Sequence, residues 1–185
     1  LPRNRLVGDL ELVARHGFRK HAIPSIDQEP DRSFPSDESR CYLPFLRGRH
    51  LLIVSPFAGF LRDRATRQTF EAVWSKSGKA WFEPASVQAL EFPYGYSPAT
   101  WKSYPTALDL LAEVKRRMDA LTYDAALIGA GLLGSMLAVA AKESGKVGIS
   151  LGGHLQILLG VNGARWRNRI NWRRKYFNDA WTELP

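Results

Sequence analysis

From His50 to Leu159 the chain alternates short apolar runs with longer stretches whose apolar residues return every three or four positions. The run His50–Val54 has the length and continuity of a strand buried in a parallel sheet, and it stops at Ser55-Pro56-Phe57-Ala58-Gly59. Phe60 to Trp74 then reads as one helix anchored by Phe60, Leu61, Phe70, Val73 and Trp74. A second strand is expected at Val87–Phe92, followed by a rigid aromatic loop from Pro93 to Pro98. The spacing of Leu108, Leu111, Ala112, Lys115 and Met118 predicts a helix over about Pro105 to Ala120, with Pro105 in its first turn. The apolar run Tyr123–Ile128, a helix from Ser135 to Glu143, a strand at Lys146–Leu151 and an apolar helical stretch Leu155–Leu159 complete the alternation. The order predicts an α/β fold, three layers deep, with a mostly parallel sheet of at least four strands.

The two ends fit this pattern less well. Leu6-Val7 and Leu10–Ala14 read as a short strand or helix, and Ile23–Arg40, with three prolines and several acids and serines, reads as a loop. Residues 1–41 are therefore taken as an N-terminal connecting segment and residues 42–185 as a single globular domain. Trp166–Pro185 is expected to be an irregular or partly helical cover. No internal repeat or low-complexity tract is present.

Composition adds bounds. The 185 residues match about one domain, and 45% hydrophobic content with 11% aromatics suffices for a core. The single cysteine, Cys41, excludes an internal disulfide framework and fits a reducing, cytoplasmic compartment. No uninterrupted apolar run approaches the roughly 18–20 residues of a membrane span. The chain opens on Leu1 with no signal-peptide pattern, which reads as a processed chain or a piece of a longer protein.

The sharpest chemical signal is Gly129-Ala130-Gly131-Leu132-Leu133-Gly134, placed between an apolar strand and a helix. In that context the first glycine allows a tight turn, the second lets backbone approach a phosphate, and the third lets helix and strand pack closely. The helix's unpaired N–H groups and dipole then favour an anion. The competing reading is that the glycines serve packing alone. A NAD site would place an acid about 20 residues further on, at the end of the next strand. Here that strand ends in Ser150-Leu151-Gly152-Gly153-His154, with no carboxylate and no adjacent arginine. An ordinary dehydrogenase or S-adenosylmethionine enzyme is thereby demoted, and neither NAD nor FAD is expected. The second glycine turn, Gly152-Gly153, moves the reading toward a diphosphate shared between two helix starts. Ser55 should border the same crevice, because ligands of open α/β sheets collect at the carboxyl ends of the strands. His154 either contacts the phosphate or acceptor, or caps and packs its helix.

The net charge of +8 is concentrated in Arg165, Arg167, Arg169, Arg173, Arg174 and Lys175, interleaved with Trp166 and Trp172. Such a cluster serves as a solvated surface, grips an anionic small molecule or membrane surface, or tracks nucleic acid. No helix-turn-helix, zinc-finger or ribonucleoprotein signature supports the last use, so nucleic acid is not the expected partner.

Taken in order, Ile53–Phe57, Leu127–Gly134, Gly145-Lys146, Leu151–Gly160, Gly163–Trp166 and Phe177–Trp181 make the chain from about Arg49 to Trp181 resemble the C-terminal portion of the bacterial GT-D-type glycosyltransferase domains. These domains often accompany capsule or surface-polysaccharide genes. The resemblance implies a Rossmann-like domain that transfers sugar from a nucleotide-sugar donor to a glycan or lipid-linked acceptor. Such a domain would be cytoplasmic or peripheral at the inner face of an anionic membrane. On that reading, donor or phosphate contacts come from Ser55, Gly129, Gly131, Gly134, Gly152, Gly153, His154 and Arg165, while Tyr94, Tyr96 and Trp101 either stack a sugar or base or simply pack the aromatic loop onto the fold. The resemblance also implies an Asp-any-Glu motif near the start of the domain that holds a divalent cation, Mg²⁺ or Mn²⁺, on the donor diphosphate. Gly8-Asp9-Leu10-Glu11 is the N-terminal match, which makes Asp9 and Glu11 candidate metal ligands. The alternative places the motif upstream of Leu1. No residue presents itself as a general base, and the catalytic residues are left unassigned.

Overall fold

Four of the apolar runs pair side by side in one direction. They form β1 (His50–Val54), β2 (Ser86–Leu90), β3 (Ala125–Ile128) and β4 (Val147–Ser150), all parallel, in the order β2-β1-β3-β4. The computed structural model describes residues 42–185 except Tyr96 and residues 164–169. The segments predicted at Leu6-Val7, Leu10–Ala14 and Ile23–Arg40 lie outside the described residues, as do Asp9, Glu11, Cys41, Arg165, Trp166, Arg167 and Arg169.

The alternation of side chains divides the core into two. From β1 and β3, Leu51, Ile53, Ala125 and Leu127 face one side; Leu52, Val54, Ala126 and Ile128 face the other, and all eight are buried. The first face is covered by α1 (Ala58–Arg64), α2 (Arg67–Val73) and α6 (His154–Leu158), the second by α4 (Ala107–Asp119) and α5 (Leu133–Glu143). The domain is thus a three-layer, Rossmann-like α/β fold with an all-parallel sheet. Among the described residues no helix is long and apolar enough to cross a membrane.

Several elements depart from the sequence expectation. The single helix expected over Phe60–Trp74 is two, because Thr66 adopts an extended backbone and its hydroxyl accepts a hydrogen bond from the Thr69 N–H at 3.2 Å, starting α2 afresh. Pro105 stands before the helix and not in its first turn. Thr106 is the N-cap of α4, its hydroxyl accepting from the Asp109 N–H at 3.2 Å while the Asp109 carboxylate accepts from the Thr106 N–H at 2.9 Å. Thr106→Ala is expected to lower stability by about 1 kcal/mol, read as a lower urea midpoint at unchanged slope. A short helix, α3 (Pro98–Ser103), begins where the aromatic loop was expected to end. Phe92 falls beyond β2 but remains buried.

The C-terminal cover is partly regular: α7 (Ile170–Tyr176) is followed by β6 (Thr182–Glu183), which pairs in parallel with β5 (Val161–Asn162). Asn178 donates through Nδ2 to the Ala72 and Val73 carbonyls at 3.0 and 3.3 Å, satisfying the end of α2. The Trp181 indole N–H also donates to the Val73 carbonyl, at 3.2 Å, and its ring stacks on Phe177 at 4.2 Å. Arg64, half-buried with its pKa lowered by that burial, donates to the Leu159, Gly160 and Ala180 carbonyls and so ties α1 to the C-terminal cover. The aromatic-rich stretch Phe177–Trp181 is therefore a structural clasp.

Candidate ligand-binding site

After β1 the chain turns onto one face of the sheet through α1, and after the neighbouring β3 it turns onto the other through α5. The two departures diverge, and the gap between them is the switch point at which open α/β sheets bind ligands. A cleft of about 250 Å³ lies there. Its walls are Ser55, Pro56 and Phe57 after β1; Phe92, Tyr94 and Gly95 after β2; Trp101 on α3; Ala107 and Leu110 on α4; Gly129–Leu133 after β3; and Gln156 on α6. None of these side chains is charged.

Local chemistry holds each wall in place. Ser55 is buried; its N–H donates to the Leu90 carbonyl, and its hydroxyl oxygen accepts from the Phe57 N–H at 3.2 Å. That bond bends the backbone out of β1 as a serine turn does. The aromatic rim is pinned by Thr100, a buried residue that sequence reading passed over, whose hydroxyl donates to the Tyr94 carbonyl at 2.7 Å. Tyr94 lies 5.8 Å from the Phe57 ring, and it and Trp101 are each about half exposed at the opening.

The glycine turn divides its tasks. Gly129 donates its N–H to the Val54 carbonyl at 2.8 Å, and a Cβ there would come within 3.0 Å of Leu155. Gly134 lies where a Cβ would meet the Ser150 hydroxyl at 2.6 Å, so it sets the approach of α5 to β4. Gly131 has φ +54° and open space around it, so backbone conformation alone calls for glycine there. The Leu133 and Gly134 N–H groups donate to the Ala130 and Gly131 carbonyls. Among the described residues, the N–H groups of Ala130, Gly131 and Leu132 have no acceptor. Three consecutive amide donors thus line the cleft at the start of α5, whose N-terminus carries no side-chain cap. Gly131 in the left-handed region followed by Leu132 in the right-handed one is the backbone pattern of an anion nest.

The helix start after β1 differs. There the Glu91 carboxylate, from the end of β2, accepts the Gly59 N–H at 2.8 Å and occupies the amino end of α1. The amino end of α1 thus already holds a negative charge, whereas the β3–α5 turn holds none.

The remaining sequence candidates lie elsewhere. Leu151 and Gly152 both donate their N–H groups to the Ile128 carbonyl, and the His154 N–H donates to the Leu151 carbonyl. Gly134, Gly152, Gly153 and His154 are not among the cleft residues; Ser55, Gly129 and Gly131 are. Tyr96 and Arg165 lie outside the described residues. Among the described residues no group of three His, Cys, Asp or Glu side chains is placed to hold a metal ion. Arg173, Arg174 and Lys175 are exposed on α7.

Fold and cleft together define a parallel α/β domain with an uncharged, partly aromatic cleft at its switch point. Set against family models, curated proteins and solved structures, the chain matches none of them.

Proposed function

We propose that this domain binds a nucleotide sugar and serves as the donor site of a glycosyltransferase, passing the sugar to a glycan or lipid-linked acceptor. The observation that carries the reading is the row of three acceptor-free amides, Ala130–Leu132, beside an uncharged aromatic cleft at the switch point. The amides suit a diphosphate and the cleft suits a ring. The sequence resemblance to GT-D-type domains supplies the sugar.

Sugar transfer leaves negative charge developing on the departing nucleoside diphosphate. Amides fixed in place before the reaction, together with the positive end of the α5 dipole, stabilise that charge without reorganising. Among the described residues no cluster fits Mg²⁺ or Mn²⁺; the candidate metal ligands are Asp9 and Glu11, outside the described residues. The described chain's own contribution is to bind and orient the donor and to shield its ring from water.

Thermal-shift titrations with UDP, a nicotinamide dinucleotide, S-adenosylmethionine and short oligonucleotides, each with and without Mn²⁺, separate this reading from its rivals. A nucleoside diphosphate at 100 times its Kd should stabilise the fold by about 2.7 kcal/mol. Stabilisation by the dinucleotide alone would point to an oxidoreductase. Salt-sensitive oligonucleotide binding with no nucleotide response would point to the basic cluster as the working surface.

A further inference from the structure

We infer that Gln156 reads the polar edge of a nucleobase seated in the switch-point cleft, and so sets which nucleotide this domain accepts. The inference rests on the nucleotide reading above and names the part of the ligand that the cleft receives.

Pockets that take a whole small ligand run to roughly 300–1,000 Å³, whereas this cleft measures about 250 Å³. It has room for a ring and not for an entire nucleotide sugar. Phe57, Phe92 and Leu110 give it apolar walls, with Trp101 and Tyr94 at the opening. A hexose turned into such walls would bury several hydroxyls without partners, which is unfavourable. A flat base presents apolar faces to the aromatics and gathers its polar atoms on one edge.

One carboxamide meets that edge. Among the described cleft residues, Gln156 alone carries both a side-chain donor and acceptor in one planar amide, the arrangement that pairs two-point with a base. Among the described residues its side chain makes no hydrogen bond, so both functions are available to a ligand. Its position is fixed from both sides. Leu155 and Ile157 are fully buried, and Leu155 packs where a Gly129 Cβ would stand. The amide is thus tied by packing to the same turn that presents the three N–H donors. The phosphates on that turn and the base against Gln156 would be held by neighbouring parts of one framework.

The test is calorimetric titration of the full chain and of Q156L and Q156M with UDP, CDP, ADP, GDP and inorganic pyrophosphate. The wild type should prefer one base over the others by about tenfold or more. Both variants should lose about tenfold in affinity for that nucleotide, the effect of about 1.4 kcal/mol of hydrogen bonding. They should bind the four nucleotides within about threefold of one another and hold pyrophosphate as the wild type does. Wild-type binding of all four nucleotides with equal affinity would overturn the base-reading role while leaving the nucleotide site standing. Unchanged affinity and preference in both variants would do the same. Binding of no nucleotide by the wild type would remove the nucleotide reading itself.

Discussion

Gly148→Ala is expected to lower the unfolding free energy by about 3 kcal/mol, the upper part of the usual range for overpacking a core. Gly148 is the second residue of β4, paired with Ala126, and α5 crosses directly above it. A Cβ at this position would stand 2.5 Å from both the Cα and the carbonyl oxygen of Ala138, which are backbone atoms that no rotamer change can move aside. Relief would require α5 to lift from β4. The helix uses small residues for the whole approach, with Gly134 over Ser150 and Ala138 over Gly148, one helical step of four apart. Lifting it would also shift Leu137 and Ala141 in the core beneath and the glycine turn at its amino end. Two other glycines calibrate the result. Gly153 has open space and no left-handed backbone, so Gly153→Ala should leave stability nearly unchanged. Gly145, at φ +74° in open space, should cost about 1–2 kcal/mol through backbone strain alone. Urea midpoints at constant slope measure all three. A Gly148→Ala protein unfolding at the wild-type midpoint would mean that helix and strand are less closely packed than described.

The strands were legible because each carries its own signal. β1 and β3 are buried on both faces and read as continuous apolar runs; β4, at the sheet edge, retains only Val147 and Ile149 but follows a recognisable helix. The break between α1 and α2 was hidden for the opposite reason. Phe60, Leu61, Phe70, Val73 and Trp74 pack into one cluster, so apolar spacing runs across the interruption, and only the Thr66 cap betrays it. The site was half visible. Strand, glycine turn and helix in sequence located Gly129–Gly134, but which amides remain available depends on strand register. Gly129 and Gly152 donate to carbonyls of neighbouring strands, and no local pattern encodes that. Gln156 was missed because a lone polar residue inside Leu155–Leu159 looks like the solvent side of a helix. Only the folding of α6 against the β3 turn brings it to the cleft. Thr100 was missed likewise, since its hydroxyl bond to Tyr94 requires the loop to double back.

Gly131→Asn should reduce affinity for a nucleoside diphosphate by about 100-fold, close to 2.7 kcal/mol, while costing the fold about 1 kcal/mol or less. The choice of asparagine isolates the effect. Gly131 sits at φ +54°, a conformation that asparagine enters with less strain than other L residues, and a Cβ there meets nothing within 4 Å. The turn should therefore keep its shape while a side chain intrudes on the space before the Ala130, Gly131 and Leu132 amides. Gly134→Ala reverses the pattern. Its Cβ would meet the Ser150 hydroxyl on the far side of the turn, so it should act mainly on stability. Pyrophosphate makes the comparison sharper, since it carries no base. Gly131→Asn should lose pyrophosphate and UDP together, whereas the Gln156 variants should lose only the discrimination among bases. A Gly131→Asn protein that binds UDP as tightly as wild type would place the anion away from this turn. The glycines would then be there for α5 to pack against the sheet, and the cleft would hold a ligand with no phosphate at its edge.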